Sequence, residues 1–532
     1  MPWVIVWVKE TVKMKTKKTK VRNFHQAKWD EPVIFELSTK GERGILVPEA
    51  EKEVEESIGD GIGVVPEQMR RKEPPALPEV AQMRVLKHFL RLSQHCLGAD
   101  LNVDLGQGTC TMKYSPKVNE EFVRSPKVAE LHPLQDESTV QGALEIIYKL
   151  DLYLREISGM AWFSFQPGGG SQAILAMASI VHAYHERKGE SSQRDEIITT
   201  IFSHPSDAAA AAVKGYKVIT LYQGGDGLPE VEALRKAVSE RTAGLLITNP
   251  EDTGIFNPRI AEFTKIVHDA GGLCGYDQAN ANGILGITRA READFDMCFF
   301  NLHKTFSSPH GCGGPATGAL GVRKALKDFL PVPVIEYDGE KYFLNHNLPH
   351  TIGKVRSFLG VFPAVLRAYA WIMSLGAEGI KEAAHIAVLN NNYILEKVKK
   401  LRGASAPFAK GRHRIEQVRY SWQDLTKDTG VTTEDVTLRM ADFGFHLWSS
   451  HHPFIVPQPF TIEPTESYSK EEIDEYLAGL EKVIEEAYEN PEKVRNAPYN
   501  SVVHKIDHST LDDPEKWAIT WRAFLKKHKG QS

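Results

Sequence analysis

The chain has 532 residues, enough to bury more than one simple core. Apolar residues make up 42% and charged residues 25%, and the net charge of −5 gives no electrostatic reason to expect nucleic acid or an anionic membrane surface. The five cysteines, Cys96, Cys110, Cys274, Cys298 and Cys312, are odd in number and irregular in spacing. They argue against a disulfide framework or a zinc site and fit a reducing cytoplasm, and no stretch approaches a transmembrane span.

The N-terminus opens on a short apolar run, Val4-Ile5-Val6-Trp7-Val8, with no basic segment before it, which does not read as a signal peptide. Basic residues between Lys13 and Lys20 read as a solvated segment. Residues 1–80 are polar and irregular, with Pro66, Pro74, Pro75 and Pro78 near the end, as expected of an arm that wraps a partner or the protein's own surface. A large domain is expected over 81–335. Within it, helical periodicity at 143–157, 171–187, 230–240 and 259–270 alternates with strand-like runs at 196–202, 217–221, 244–248, 273–277 and 295–300. Short strands separated by helices imply parallel pairing with right-handed crossovers, so the fold class is α/β with a mostly parallel sheet. From about 336 a smaller α+β domain is expected to run to 490, with helices at 357–375, 378–401, 436–443 and 470–488. The tail 491–532 is polar and broken by proline.

In such a sheet, ligands collect at the carboxyl ends of the strands. Thr248, Asp277 and Lys304 all fall at or just past strand ends. A lysine there can lose solvent and proton and act as a nucleophile toward carbonyls. An Asp ending one strand and a His-Lys following the next suit pyridoxal phosphate (PLP). The lysine would bind the cofactor aldehyde, and the Asp would keep the pyridine nitrogen protonated. Taken alone, Lys304 reads equally as a solvated surface lysine, and Asp277 as a helix cap. The loop Gln166-Pro167-Gly168-Gly169-Gly170-Ser171-Gln172 precedes an apolar helix. Glycines and a helix N-terminus make an anion cradle, although a turn with an N-cap has the same look. His204 follows a strand, and His303 adjoins the lysine. Each has an ordinary structural reading as a loop or core histidine.

The segment Asn301-Leu302-His303-Lys304-Thr305-Phe306, with His310-Gly311-Cys312-Gly313-Gly314-Pro315 after it, resembles the cofactor-lysine segment of the glycine decarboxylase P-protein family of the glycine cleavage system. The resemblance is closest to the C-terminal-half subunit of the two-subunit form. It extends to Phe24-His25-Gln26-Ala27-Lys28-Trp29-Asp30-Glu31-Pro32, Arg70-Arg71-Lys72-Glu73-Pro74-Pro75, Cys110-Thr111-Met112-Lys113-Tyr114, Thr248-Asn249-Pro250, Val355-Arg356-Ser357-Phe358 and Ile462-Glu463-Pro464-Thr465-Glu466-Ser467. These motifs keep their order over nearly the whole chain.

The resemblance implies a fold-type-I PLP enzyme that decarboxylates glycine and passes the aminomethyl group to the lipoyl group of the H-protein. An N-terminal-half subunit is the implied partner. It casts Lys304 as the cofactor lysine, His204 as the imidazole on the cofactor ring and Asp277 as the ring-nitrogen partner, with Asn280 nearby. His303 adjoins substrate, and Gly169, Gly170, Ser171 and Thr248 hold cofactor. The chain departs from the family pattern at Gly168 and Gly169, at Cys312, at Ala316, and at Leu359 and Val361. The family's late His-Glu motif is expected at His413-Arg414. These departures leave two other readings open: a PLP lyase or aminotransferase for another amino acid, and a non-catalytic partner subunit.

Overall fold

The structure, a computed structural model, describes residues 19–59, 61–97, 101–110, 113–309, 316–408, 410–448, 455–506, 513, 517–518 and 520–528. The apolar start, most of the basic run, Thr111-Met112 and the glycine-rich stretch with Cys312 lie outside them. The chain divides into two compact units, one of residues 1–23 with 98–497 and the other of residues 24–97 with 498–532.

The first unit is built on a seven-stranded sheet among the described residues. Its strands are β1 (Trp162–Ser164), β2 (Glu196–Thr200), β3 (Lys217–Leu221), β4 (Thr242–Thr248), β5 (Leu273–Asp277), β6 (Met297–Asn301) and β7 (Gly318–Val322), in the order β1-β7-β6-β5-β4-β2-β3. Strands β2 to β6 are joined in parallel pairs, whereas β7 runs antiparallel to both β6 and β1. The five strands read from the sequence are β2 to β6. The other two carry weak signals: β1 is three residues long, and β7 holds two glycines. Gly321 in β7 is required by its neighbour, because the ring of Phe163 lies where a Cβ would stand.

Each central strand is apolar on both faces because helices cover both. Leu246, Met297 and Phe299 pack toward the Gly170–Arg187 helix. Leu245, Ile247, Cys298 and Phe300 pack on the other side, in a core that also takes residues from the helices Gln141–Ser158 and Ile260–Asp269. Cys274 and Cys298 are fully buried small hydrophobes, as their strand positions imply.

A hairpin, β8 (Val334–Tyr337) with β9 (Tyr342–Asn345), follows the sheet. The helical stretch Phe362–Val398 is two helices broken at Gly376, whose φ is +64°. That break separates the two helices expected from the sequence. The first begins later than 357, after Gly360 at φ +99° and with Pro363 in its opening turn. Antiparallel β10 (Val418–Ser421) and β11 (Pro459–Ile462) then pack with the helices Thr433–Ala441 and Lys470–Glu489 around a separate core. In that core the ring of Trp422 stacks on Phe460 at 4.4 Å.

The second unit ties the N-terminal arm to the C-terminal segment. Gln26 N donates to Asn500 O at 3.0 Å, Val502 N donates to Gln26 Oε1 at 3.0 Å, and Phe35 stacks on Trp521 at 5.1 Å. No helix among the described residues is long and apolar enough to cross a membrane.

Candidate active site

Four adjacent parallel strands end at one edge of the sheet, and each delivers a side chain there. Strand β2 leads to His204, β4 ends at Thr248, β5 ends at Asp277, and β6 leads to Lys304. Registry sets two of them side by side, since Thr248 is paired with Asp277 across β4 and β5. All four line one cavity, together with Asn280 and Glu416. Lys304 is 8% exposed. His204 caps the helix Pro205–Val213, with its Nδ1 accepting from Ser206 N at 3.1 Å. The proton of a neutral ring then sits on Nε2.

The Asp277 carboxyl is 6% exposed, and its Oδ1 accepts from Ala279 N at 2.8 Å. This is a turn contact, not a helix cap. Behind it stands a second acid, Asp207, in the first turn of the Pro205–Val213 helix. Burial raises both carboxyls. Asp207 rises well above the usual range because the Asp277 charge adds to its burial. Asp277 is held back by the Ala279 N–H, the Lys304 charge and the hydrogen bond from Asp207. Asp207 is raised further than Asp277, so of the two it holds a proton the more tightly, and Asp277 is the readier to ionise beside the lysine.

Two more acids, Glu416 and Glu463, feel the charge of the lysine. Burial pushes Glu416 up to about 7, against the pull of the Gly283 N–H and the charges of Lys304 and Lys113. Burial, with the nearby Glu416 charge, raises Glu463 well above its normal value. Glu463 Oε1 accepts from Asn280 Nδ2 at 2.6 Å and from Asn282 Nδ2 at 3.3 Å. Burial likewise pushes Glu251 up to about 7. Asp252, on the cavity wall, is ion-paired with the buried Arg419.

The glycine loop forms an open recess lined by Gly168, Gly169, Gly170, Ser171, Ala316 and Arg356. Gly169 precedes the 18-residue Gly170–Arg187 helix, and its φ of +156° suits glycine. A Cβ on Gly168 would come within 2.8 Å of the Arg356 guanidinium, and one on Gly170 within 3.0 Å of Asn301 Nδ2. His303 bridges this recess toward Lys304, with its Cε1 3.9 Å from where a Gly169 Cβ would be. These features fit PLP. A helix N-terminus and Arg356 can take a phosphate, a buried lysine can take the aldehyde, and Asp277, when ionised, can face the ring nitrogen. The Thr248 hydroxyl, buried without a hydrogen-bond partner among the described residues, is a further polar group for that cavity.

Sequence reasoning singled out Lys304, Asp277, His204, Thr248 and Asn280, and the fold brings all five to one cavity. Gly169, Gly170 and Ser171 lie in the neighbouring recess. It missed Asp207, Arg356 and Glu416. Arg356 stands inside a quoted motif without an assigned role, and Asp207 lies three residues past His204. The late acid was sought at His413-Arg414, but the cavity takes Glu416, two residues further on. His413 is exposed, and its Nδ1 is 3.2 Å from Asn392 Oδ1. Leu359 packs against the hydrophobic core and Val361 N donates to Thr317 Oγ1, so neither lines the cavity around Lys304.

Residues 383–508 match the family described as glycine dehydrogenase, C-terminal domain, and residues 165–341 match aminotransferase class-V. The chain is similar to a protein of Pyrococcus horikoshii named probable glycine dehydrogenase (decarboxylating) subunit 2, with 45% identity over 96% of this chain and 99% of the relative. A protein of the same name from Caldanaerobacter subterraneus subsp. tengcongensis is 41% identical over 89% of this chain and 96% of its own length. Among solved structures, the glycine decarboxylase (P-protein) of the glycine cleavage system, in inhibitor-bound form, superposes with a TM-score of 0.68 at 19% identity. It covers 82% of this chain and 99% of that one, and bears out the expected fold-type-I architecture. Nearly full-length identity of 45% establishes that the chain belongs to the glycine dehydrogenase (decarboxylating) subunit 2 family.

Proposed function

We propose that this chain catalyses PLP-dependent decarboxylation of glycine in the cytoplasm and passes the aminomethyl group to the lipoyl group of an H-protein. It acts together with an N-terminal-half P-protein subunit. The observation that carries the reading is the buried Lys304 beside Asp277 at the ends of neighbouring strands, in a chain 45% identical to named glycine dehydrogenase subunits.

Bound in this cavity, PLP supplies an electron sink for the pair left on the substrate's α-carbon when CO₂ departs. The rest is done by side chains. Lys304 Nζ would hold the cofactor aldehyde and is the group a substrate amine would displace. Asp277 would place a negative charge at the ring nitrogen and hold its proton there, and the buried Asp207 carboxyl, raised further, leaves Asp277 the readier of the two to ionise. Arg356 and the free N–H groups of the Gly170–Arg187 helix hold the phosphate. His204, fixed by Ser206, presents its ring to the cavity. Asn280, its amide held by Glu463, and His303 orient the substrate side.

The test is glycine–bicarbonate exchange with the partner subunit and H-protein present. Exchange is expected, together with a borohydride-trapped PLP adduct on Lys304 that Lys304→Ala removes. A complete mixture that traps PLP yet leaves glycine untouched would retain the cofactor assignment and reject the substrate.

A further inference from the structure

The mechanism above leaves one cavity acid without a task. Glu416 is 4% exposed, yet it lines the cavity that holds Lys304. Its Oε2 is anchored by Gly283 N at 3.0 Å, which fixes the carboxyl against the turn that follows Asp277 and Asn280. The charged and titratable groups acting on it are Lys304, Lys113, Asp277, Glu463 and Tyr276. The other cations have acid partners: Lys113 Nζ binds Glu466 at 2.6 Å, and Arg419 binds Asp252. Asp277 is committed to Asp207 and the Ala279 N–H, and Glu463 to two asparagine amides.

We infer that Glu416 is the proton acceptor and donor for Lys304 Nζ. The inference rests on the reading of Lys304 as the cofactor lysine. A lysine must be a neutral amine to attack an aldehyde, and it must take a proton again once the substrate amine has displaced it. In the forward step one N–H bond of the Lys304 ammonium breaks, its electron pair stays on nitrogen, and the proton passes to the Glu416 carboxylate. The resulting amine condenses with the PLP aldehyde and one water leaves. In the reverse step the carboxyl returns the proton to the released amine. A carboxyl that burial holds near neutrality suits both directions, since it changes state at little cost around pH 7.

The experiment measures cofactor capture by the full-length PLP-free chain. PLP is added, borohydride quenches the mixture at intervals, and the adduct at Lys304 is quantified by mass across pH 6–9. Wild type should show capture that rises through an inflection near neutrality. Glu416→Gln keeps the acceptor for Gly283 N, and should capture at least tenfold more slowly at pH 7.5 and lose the inflection. Glu416→Asp should recover part of the rate and the inflection. A nearby negative charge holds a proton on an ammonium, so a purely electrostatic role for Glu416 makes the Gln variant as fast as wild type or faster. That result overturns the inference. Infrared difference spectra of the PLP-free chain should contain carboxyl intensity titrating near neutrality that Glu416→Gln reduces and does not abolish, because Glu251 is also pushed up to about 7, and undiminished intensity in that variant also overturns the inference. If wild type forms no adduct at Lys304, the cofactor-lysine reading fails. If wild type captures normally and the Gln variant keeps pace, the relay alone fails.

Discussion

At the scale of single residues, the site is organised by how buried acids divide protons. Asp277 is useful because Asp207 holds a proton the more tightly and leaves Asp277 the readier to ionise beside Lys304. Asp277→Ala should lower PLP affinity by at least tenfold, read by equilibrium dialysis, and nearly abolish glycine exchange, because the protonated ring depends on that charge. Near-normal exchange would reduce Asp277 to a turn residue. Glu416 makes a pH prediction. Its folded value near 7 lies above the ordinary 4.5, so between these values the folded chain holds a proton that the unfolded chain has released. Stability therefore falls as pH rises from about 4.5 to 7, and then levels off. Glu416→Gln removes this term, and by pH 8 it should have gained on wild type, relative to pH 5, by on the order of 2 kcal/mol in denaturant unfolding of the PLP-free chain. A pH-independent difference between the two proteins would show that Glu416 does not titrate in this range. Lys304, Asp277 and His204 were legible in the sequence because each directly follows an apolar strand. Glu416 was not, because its place beside Lys304 is created by chain far away in sequence. Within Ile415-Glu416-Gln417-Val418 it looks like one of two ordinary polar residues between apolar ones.

At the scale of elements, legibility follows local signals. The Lys470–Glu489 helix was readable because its start is encoded nearby. Ser469 accepts from Glu472 N at 3.2 Å, and Glu472 Oε2 accepts from Ser469 N at 2.8 Å, which is a complete capping box. Ile473, Leu480, Val483 and Ile484 then face the core at helical spacing. Ser469→Ala should destabilise the chain by about 1 kcal/mol in denaturant unfolding while leaving PLP binding unchanged, since the cap lies outside the cavity. A loss of PLP affinity in that variant would mean that the helix start is coupled to the site. Strands β1 and β7 lacked comparable signals. Their identity as strands depends on pairing with each other and with β6, a long-range relation that no short window contains. The same limit explains Arg356. Its motif was visible, but only the fold sets its guanidinium against Gly168, in the recess proposed for the phosphate.

At the scale of the whole molecule, the unit of residues 24–97 and 498–532 makes the proposed partnership testable. The arm read from the sequence is fastened to the C-terminal segment, yet it leaves large apolar side chains in solvent. Ile45 is 80% and Val64 87% exposed, and Met69 and Leu77 are exposed as well. Exposed apolar side chains of this kind are what a contact with the proposed partner would cover. The isolated chain should therefore bind PLP at Lys304 but exchange little glycine carboxylate, and adding the N-terminal-half subunit should raise exchange at least tenfold. Ile45→Asp with Val64→Asp should weaken co-purification with that subunit and lower the gain, while borohydride trapping at Lys304 stays at the wild-type level. Trapping separates the two effects because every residue lining the Lys304 cavity belongs to the other unit. Full exchange by this chain and H-protein alone would remove the need for the partner. Unchanged assembly of the double variant would move the contact elsewhere on the chain.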